Sequence, residues 1–90
     1  AEQVKQHPRE FTILDVRNKS EVEQKKPFET SINIPLTQLR ERLEEVPTSK
    51  PVAVHCAAGY RSAVASSILK AHYGNKIVVQ DISEAIKGYL

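Results

Sequence analysis

The pattern of hydrophobic positions along the chain predicts short buried strands separated by helices. Several short apolar runs show no polar side, which is typical of strands covered on both faces. Between these runs, hydrophobic residues recur at helical spacing. The alternation predicts an α/β domain, with a parallel-stranded sheet flanked by helices on both faces. The four strands are expected at residues 11–16, 32–34, 52–55 and 76–80.

Capping residues predict where the helices begin and end. Asn18 followed by Glu21 is typical of a capping box, so we expect a brief polar helix to about Lys25. Gly74 is the expected stop of a longer helix, because glycine tolerates the left-handed conformation that ends many helices. The other helices are expected over residues 1–7, from Thr37 through Leu39, Leu43 and Val46, from Arg61 to Ala71, and from Ser83 through Ala85 and Ile86.

Composition and charge restrict the classes of function. Ninety residues make a single domain, 1–90, and 13 basic against 11 acidic residues leave a net charge of +2. This balance indicates neither a nucleic-acid nor a membrane partner. No apolar stretch approaches the roughly 20 residues of a membrane span. The chain starts without methionine and ends in helix-like sequence, so we expect a domain excised from a longer polypeptide.

The lone cysteine, Cys56, follows the third predicted strand and precedes a helix. A single cysteine forms no internal disulfide, so nothing indicates an oxidising compartment and we expect a cytoplasmic protein. In parallel sheets, ligands bind beyond the carboxyl ends of the strands. Amides that converge there at a helix N-terminus form an anion site, which lowers the pKa of a thiol below its usual value of about 8.5. Cys56 is therefore a candidate nucleophile.

The residues around Cys56 leave several interpretations open. A purely structural cysteine is the competing role for Cys56 itself, because a free cysteine behaves as a small hydrophobe. Gly59 is expected to supply a backbone conformation that lets the amides converge. Arg61 can either bind an anionic donor or tie the loop to a nearby carboxylate. Tyr60 is expected to point out of the loop, with or without a contact to a donor or partner, and His55 to face away from Cys56 as a packed side chain.

Three segments, in order, resemble a known family. Asp15-Val16-Arg17 closes the first strand with Glu21 shortly after, Ser31-Ile32-Asn33-Ile34-Pro35-Leu36 spans the second, and Cys56-Ala57-Ala58-Gly59-Tyr60-Arg61 forms a six-residue loop. Together they resemble the rhodanese-like domain, the sulfurtransferase module, over most of the chain. The resemblance implies a rhodanese-like fold, Cys56 as the catalytic residue, and a substrate- or persulfide-binding loop of Ala57, Ala58, Gly59, Tyr60, Arg61 and Ser62.

The same resemblance implies supporting roles for Asp15, Arg17 and Glu21. Asp15 and Arg17 are expected to brace the loop through hydrogen bonds and a pair with Glu21, so that they are architectural rather than catalytic. An exposed ion pair between Arg17 and Glu21 would contribute only about 0–1 kcal/mol to stability.

The length of the loop separates sulfur chemistry from phosphate chemistry. Tyrosine phosphatases and related cell-cycle phosphatases place one more residue between the cysteine and the arginine than the four that separate Cys56 from Arg61. A tighter ring of amides suits a smaller group, the terminal sulfur of a persulfide. The resemblance to the rhodanese-like domain implies the same, because six-residue loops in that family accompany sulfur transfer. A phosphatase or arsenate reductase is therefore the less favoured alternative.

The chain departs from the family pattern at three places. Ala57 stands where many thiosulfate-using members have arginine, which makes thiosulfate a less favourable donor. Lys26-Pro27-Phe28-Glu29-Thr30 replaces the usual glycine-histidine-isoleucine-proline-glycine segment, and Gly88-Tyr89 stands near the usual glycine pair and tryptophan. The loop is most similar to that of rhodanese domains fused to metallo-β-lactamase-fold persulfide dioxygenases. We therefore expect a neighbouring domain of the same polypeptide among the partners.

The function implied by the resemblance is that of a sulfurtransferase, with the sulfane sulfur carried as a persulfide on Cys56. The sulfur passes from thiosulfate or a low-molecular-weight persulfide to a thiol or cyanide acceptor, in a double displacement. No cofactor is expected, and no metal, because His7, His55 and His72 show no ligand spacing with Cys56. The alternative from another class is a non-enzymatic module that binds or regulates a partner.

Overall fold

The computed structural model describes residues 2–57 and 59–83, and its centre is a parallel sheet. The strands stand in the order β2-β1-β3-β4, and each neighbouring pair is parallel. This confirms the predicted sheet type. The strands are β1 (Thr12–Asp15), β2 (Ile32–Asn33), β3 (Val52–His55) and β4 (Val79–Asp81).

Short helical segments connect the strands, and one long helix follows β3. None of the helices among the described residues is long and apolar enough to cross a bilayer. In the part of the chain that the structure describes, three 3₁₀ turns lie at Pro8–Glu10, Leu43–Glu45 and Gly74–Lys76. The α-helices are α1 (Glu2–Gln6), α2 (Lys19–Gln24), α3 (Leu36–Leu39) and α4 (Tyr60–Tyr73).

Both faces of the sheet are covered, as the apolar runs predicted. All four residues of β1 and all four of β3 are buried. On one face α3 and α4 pack over a cluster, and on the other face α1 contributes Val4 to a smaller one. The larger cluster contains Leu14, Val16, Ile34, Leu39, Val46, Val52, Val54, Cys56, Ala65, Ile68 and Leu69, and the smaller contains Val4, Ile13, Phe28, Ala53 and Ile82.

The register of β1 and β3 places the ends of these strands side by side. Asp15 lies opposite His55, and the Val16 amide donates to the His55 carbonyl at 3.1 Å. Beyond this row, Cys56 leaves the sheet at its carboxyl edge. The fold therefore brings the end of β1 and the loop after β3 to one edge.

The second half of the predicted Thr37–Val46 helix is wrong. Pro35, not Thr37, precedes the helix, and the backbone of Arg42 has φ −121° and ψ 22°, outside helical geometry. Leu39 and Val46 are nevertheless buried. A short helix and a 3₁₀ turn bury these apolar side chains, in place of one continuous helix.

One further boundary differs from expectation, and two agree with it. The fourth strand begins at Val79 rather than at residue 76, because a 3₁₀ turn extends through Lys76. Gly74 does end α4, with φ +59°. The Asn18 amide donates to Glu21 Oε1 at 3.0 Å, which confirms the capping box. The helix expected after Ser83 lies outside the described residues, as does the Gly88-Tyr89 segment.

Candidate active site

The Cys56 sulfur lies at the carboxyl end of β3 and accepts backbone hydrogen bonds from the loop that follows. Gly59 N donates to Cys56 Sγ at 3.1 Å, and Ser62 N donates at 3.2 Å. Cys56 is itself buried. The sulfur therefore accepts hydrogen bonds from converging amides, as the sequence predicted.

Gly59 provides the turn that directs these amides. Its φ of +87° lies in the left-handed region, where a side chain would strain the backbone. Gly59 is also the N-cap of α4, which begins at Tyr60 and runs for 14 residues. The positive end of the helix dipole consequently points toward the sulfur. The glycine role predicted for this position is confirmed.

A chain of hydroxyl groups connects Cys56 to a carboxylate on β4. The Cys56 amide donates to Ser83 Oγ at 2.9 Å, and Ser83 Oγ lies 2.7 Å from Ser62 Oγ. Ser62 Oγ also donates to Asp81 Oδ1 at 2.8 Å, and the Ser83 amide donates to the same oxygen at 3.1 Å. This network fixes the position of the first loop residue against the end of the neighbouring strand.

Sequence reasoning missed Ser83 and Asp81 as part of the site. The sequence pattern predicts Ser83 only as the start of a helix, and it assigns Asp81 no role. The signal that could have found them is their place directly after the fourth predicted strand. Since the carboxyl ends of parallel strands meet at one edge, polar residues that follow them are candidates for the same site.

Hydrogen bonding lowers the pKa of the Cys56 thiol below its usual value. Burial acts in the opposite direction and raises the pKa. The hydrogen bonds that the sulfur accepts, among them those from the amides of Gly59 and Ser62, outweigh burial. The thiolate, which is the nucleophilic form, is therefore favoured over the thiol more than in a free cysteine.

Arg61 is tied to a carboxylate on α2, which was one of its two predicted roles. Arg61 Nη1 donates to Glu21 Oε1 at 2.6 Å, and Nη2 donates to Oε2 at 2.9 Å. These bonds lower the pKa of Glu21 to about 2 and raise the pKa of Arg61. The negative charge of the Cys56 thiolate also raises the pKa of Arg61, so the two groups are close enough to interact electrostatically.

Asp15 and Arg17 form a separate buried pair, which corrects the expected pair of Arg17 with Glu21. Arg17 Nη2 donates to Asp15 Oδ2 at 2.7 Å and to the Lys25 carbonyl at 2.7 Å. Asp15 is the last residue of β1, which is an inner strand of the sheet. Glu21 lies on α2, where it faces Arg61 of α4. The hydrogen bonds of this pair hold the end of β1 against the residue after α2, and Glu21 holds the loop through Arg61.

Of the other residues predicted at or near the site, two are exposed and one is buried on the opposite face of the sheet. Ala57 is exposed, and the side chain of Tyr60 is 75% exposed, pointing outward as expected. Ala58 lies outside the described residues. His55 is buried, and the centre of its ring lies 5.8 Å from the centre of the Phe28 ring. Burial is the main cause that lowers the pKa of His55. Its contact with Phe28 belongs to the face opposite Cys56, which agrees with a packed histidine.

Metal-ligating side chains do not come together in the part of the chain that the structure describes. Within residues 2–57 and 59–83, no group of three histidine, cysteine, aspartate or glutamate side chains could hold an ion.

Comparison with known families identifies this arrangement. The model of the rhodanese-like domain matches residues 1–89. The chain belongs to this family. No curated protein matches the chain.

Solved structures of rhodanese-related proteins share the fold of this rhodanese-like domain. A rhodanese-related protein from Thermoplasma volcanium is 36% identical, with a TM-score of 0.73, over 87% of this chain and 76% of that one. A rhodanese with anions from E. coli is 32% identical, with a TM-score of 0.66, over 81% of this chain and 85% of that one.

One similar structure is a much longer polypeptide. A NAD-dependent persulfide reductase from A. fulgidus is 42% identical, with a TM-score of 0.65, over 80% of this chain. The match covers only 13% of the reductase chain. This rhodanese-like domain therefore corresponds to a small part of that protein.

Proposed function

We propose that this rhodanese-like domain is a sulfurtransferase that carries a sulfane sulfur as a persulfide on Cys56. The observation that carries the proposal is the pair of amide hydrogen bonds, from Gly59 and Ser62, to the Cys56 sulfur. They favour the thiolate, and amides of this loop can also stabilise a negative charge on a terminal persulfide sulfur. Family membership supports the same chemistry.

The proposed reaction consists of two displacements on sulfur. In the first, the Cys56 thiolate attacks the outer sulfur of the donor, so that one S–S bond forms and the donor's S–S bond breaks. Thiosulfate would release sulfite, and an organic persulfide would release its thiolate. In the second, an acceptor thiolate or cyanide attacks the outer sulfur on Cys56, and the Cys56 thiolate leaves. No external oxidant or reductant is needed.

A low-molecular-weight persulfide is the proposed donor, in preference to thiosulfate. Ala57 supplies no positive charge directly after Cys56, where it would help to hold a dianion. The similarity to a persulfide reductase supports the same class of donor. That protein's length also supports a partner role for a neighbouring domain of the same polypeptide. An unpaired reactive thiol suits a reducing compartment, and we propose the cytoplasm.

Intact-protein mass spectrometry tests the proposal. Incubation with glutathione persulfide should add one sulfur atom to the wild-type domain, and cyanide should remove it. The Cys56→Ser variant should show no adduct. Ser67→Ala, at an exposed position on α4, is the control and should load like wild type. Absence of a cyanide-removable adduct with both glutathione persulfide and thiosulfate would overturn the proposal.

A non-enzymatic binding module is the second candidate, and the burial of Cys56 favours it. Cys56 has no exposed surface, so a donor needs a local movement of the protein to reach the sulfur, whereas a binding role needs no access. The rate of iodoacetamide alkylation as a function of pH separates the candidates. A sulfurtransferase should react with a pKa below that of a free cysteine. A binding module should alkylate only as fast as the domain unfolds, and should form no persulfide.

A further inference from the structure

The charge of Arg61 is cancelled within the site. It is the only lysine or arginine from Cys56 to Ser62. Both of its terminal nitrogens donate to the two carboxylate oxygens of Glu21, at 2.6 and 2.9 Å. Because the pKa of Glu21 is about 2, the carboxylate stays ionised wherever the Cys56 thiolate exists. An incoming anion therefore meets a neutral pair, not a free guanidinium.

A second carboxylate is linked to the sulfur through Ser62. Asp81 Oδ1 accepts the Ser62 hydroxyl at 2.8 Å, and the Ser62 amide donates to Cys56 Sγ. Among the described residues, the charged side chains of this network are one guanidinium and two carboxylates. Such a balance disfavours the binding of a dianionic donor such as thiosulfate. It disfavours the binding of an organic persulfide much less, because that donor carries at most one negative charge at the sulfur.

We propose that Glu21 is a specificity-determining residue, which directs the domain toward organic persulfides by neutralising Arg61. The inference rests on the proposed sulfurtransferase function. Glu21 acts through Arg61 and touches no reacting atom, so its effect should appear in the choice between donors. If the pair is broken, the freed guanidinium can donate its hydrogen bonds to an anion at the loop.

The test compares loading rates of Cys56 with thiosulfate and with glutathione persulfide. Glu21→Gln should raise the ratio of the thiosulfate rate to the persulfide rate about tenfold, the size of one charge-assisted hydrogen bond. Glu45→Gln is the matched control, because Glu45 holds Arg42 in an equally two-pronged pair at 2.8 and 2.9 Å, on another part of the surface. Its ratio should equal that of wild type.

A double variant separates a charge effect from a loosened loop. Glu21→Gln combined with Arg61→Gln breaks the same pair but leaves no cation, so the gain with thiosulfate should disappear. Thermal unfolding monitors whether each variant is folded. An unchanged donor ratio in folded Glu21→Gln, or a gain that persists in the double variant, would overturn the inference and leave the sulfurtransferase proposal standing. Wild-type protein that loads from neither donor would overturn both.

Discussion

Two arginine–carboxylate pairs stand near the carboxyl edge of the sheet, and their burial separates their roles. The Asp15–Arg17 pair is inside the protein, with side-chain exposures of 0% and 4%. The Glu21–Arg61 pair is partly open, with exposures of 33% and 26%, and joins residues 40 apart in the chain. The first fixes backbone at the end of β1. The second sets the charge beside a reactive sulfur while remaining accessible to solvent and ligands.

The comparison teaches that the same ion pair can serve architecture or electrostatics according to its surroundings. Removing one partner of a buried pair leaves the other as an uncompensated charge inside the protein, which strongly destabilises the fold. A half-exposed pair costs less to open, so a substitution can alter the local charge without removing part of the core. We therefore expect the two pairs to respond differently to parallel substitutions.

The largest expected effect is the loss of stability on breaking the buried pair. Arg17→Met leaves the Asp15 carboxylate buried without its guanidinium, which should lower the free energy of unfolding by about 3–5 kcal/mol. Urea denaturation followed by circular dichroism measures this change. Arg42→Met, the same exchange at an exposed arginine, is the control. Equal losses in the two variants would show that burial does not distinguish these pairs.

The next effect concerns acid stability and the half-exposed pair. Arg61 lowers the pKa of Glu21 from 4.5 to about 2 in the folded protein. Because the pKa of Glu21 is lower in the folded protein than in the unfolded chain, the unfolded chain takes up the proton first as the pH falls. The stability that the pair contributes above pH 4.5 is therefore lost as the pH falls from 4.5 toward 2. Wild type should therefore lose more stability over this range than Glu21→Gln does. Urea unfolding at several pH values measures the difference, and parallel curves would contradict the assignment.

The sequence predicted the parallel sheet because its signal is local and strong. β1 and β3 are short apolar runs, and the residues that follow them mark the edge where ligands bind. Cys56 and Gly59 were predictable for a similar reason, since a cysteine, a glycine turn and a helix start occur within one short segment. These features need no knowledge of what lies elsewhere in the chain.

Partners that come from distant segments were harder to predict. Both arginines had plausible acids nearby, but spacing could not show that Arg17 would take Asp15 and leave Glu21 to Arg61. Ser83 reaches Cys56 only because β4 pairs with β3. The Thr37–Val46 helix failed differently, because apolar spacing does not distinguish a continuous helix from short turns that bury the same side chains.

The smallest effect is expected where an arginine pair is both exposed and local. Arg42 lowers the pKa of Glu45, as Arg61 does for Glu21, but the partners are three residues apart and remain neighbours in an unfolded chain. The difference between folded and unfolded pKa is then smaller, and so is the pH-dependent stability. At each pH from neutral to acid, the urea midpoint of Glu45→Gln should therefore differ from that of wild type by less than the midpoint of Glu21→Gln does. A shift as large as that of Glu21→Gln would mean that the sequence separation of the partners does not affect the contribution of such a pair to stability.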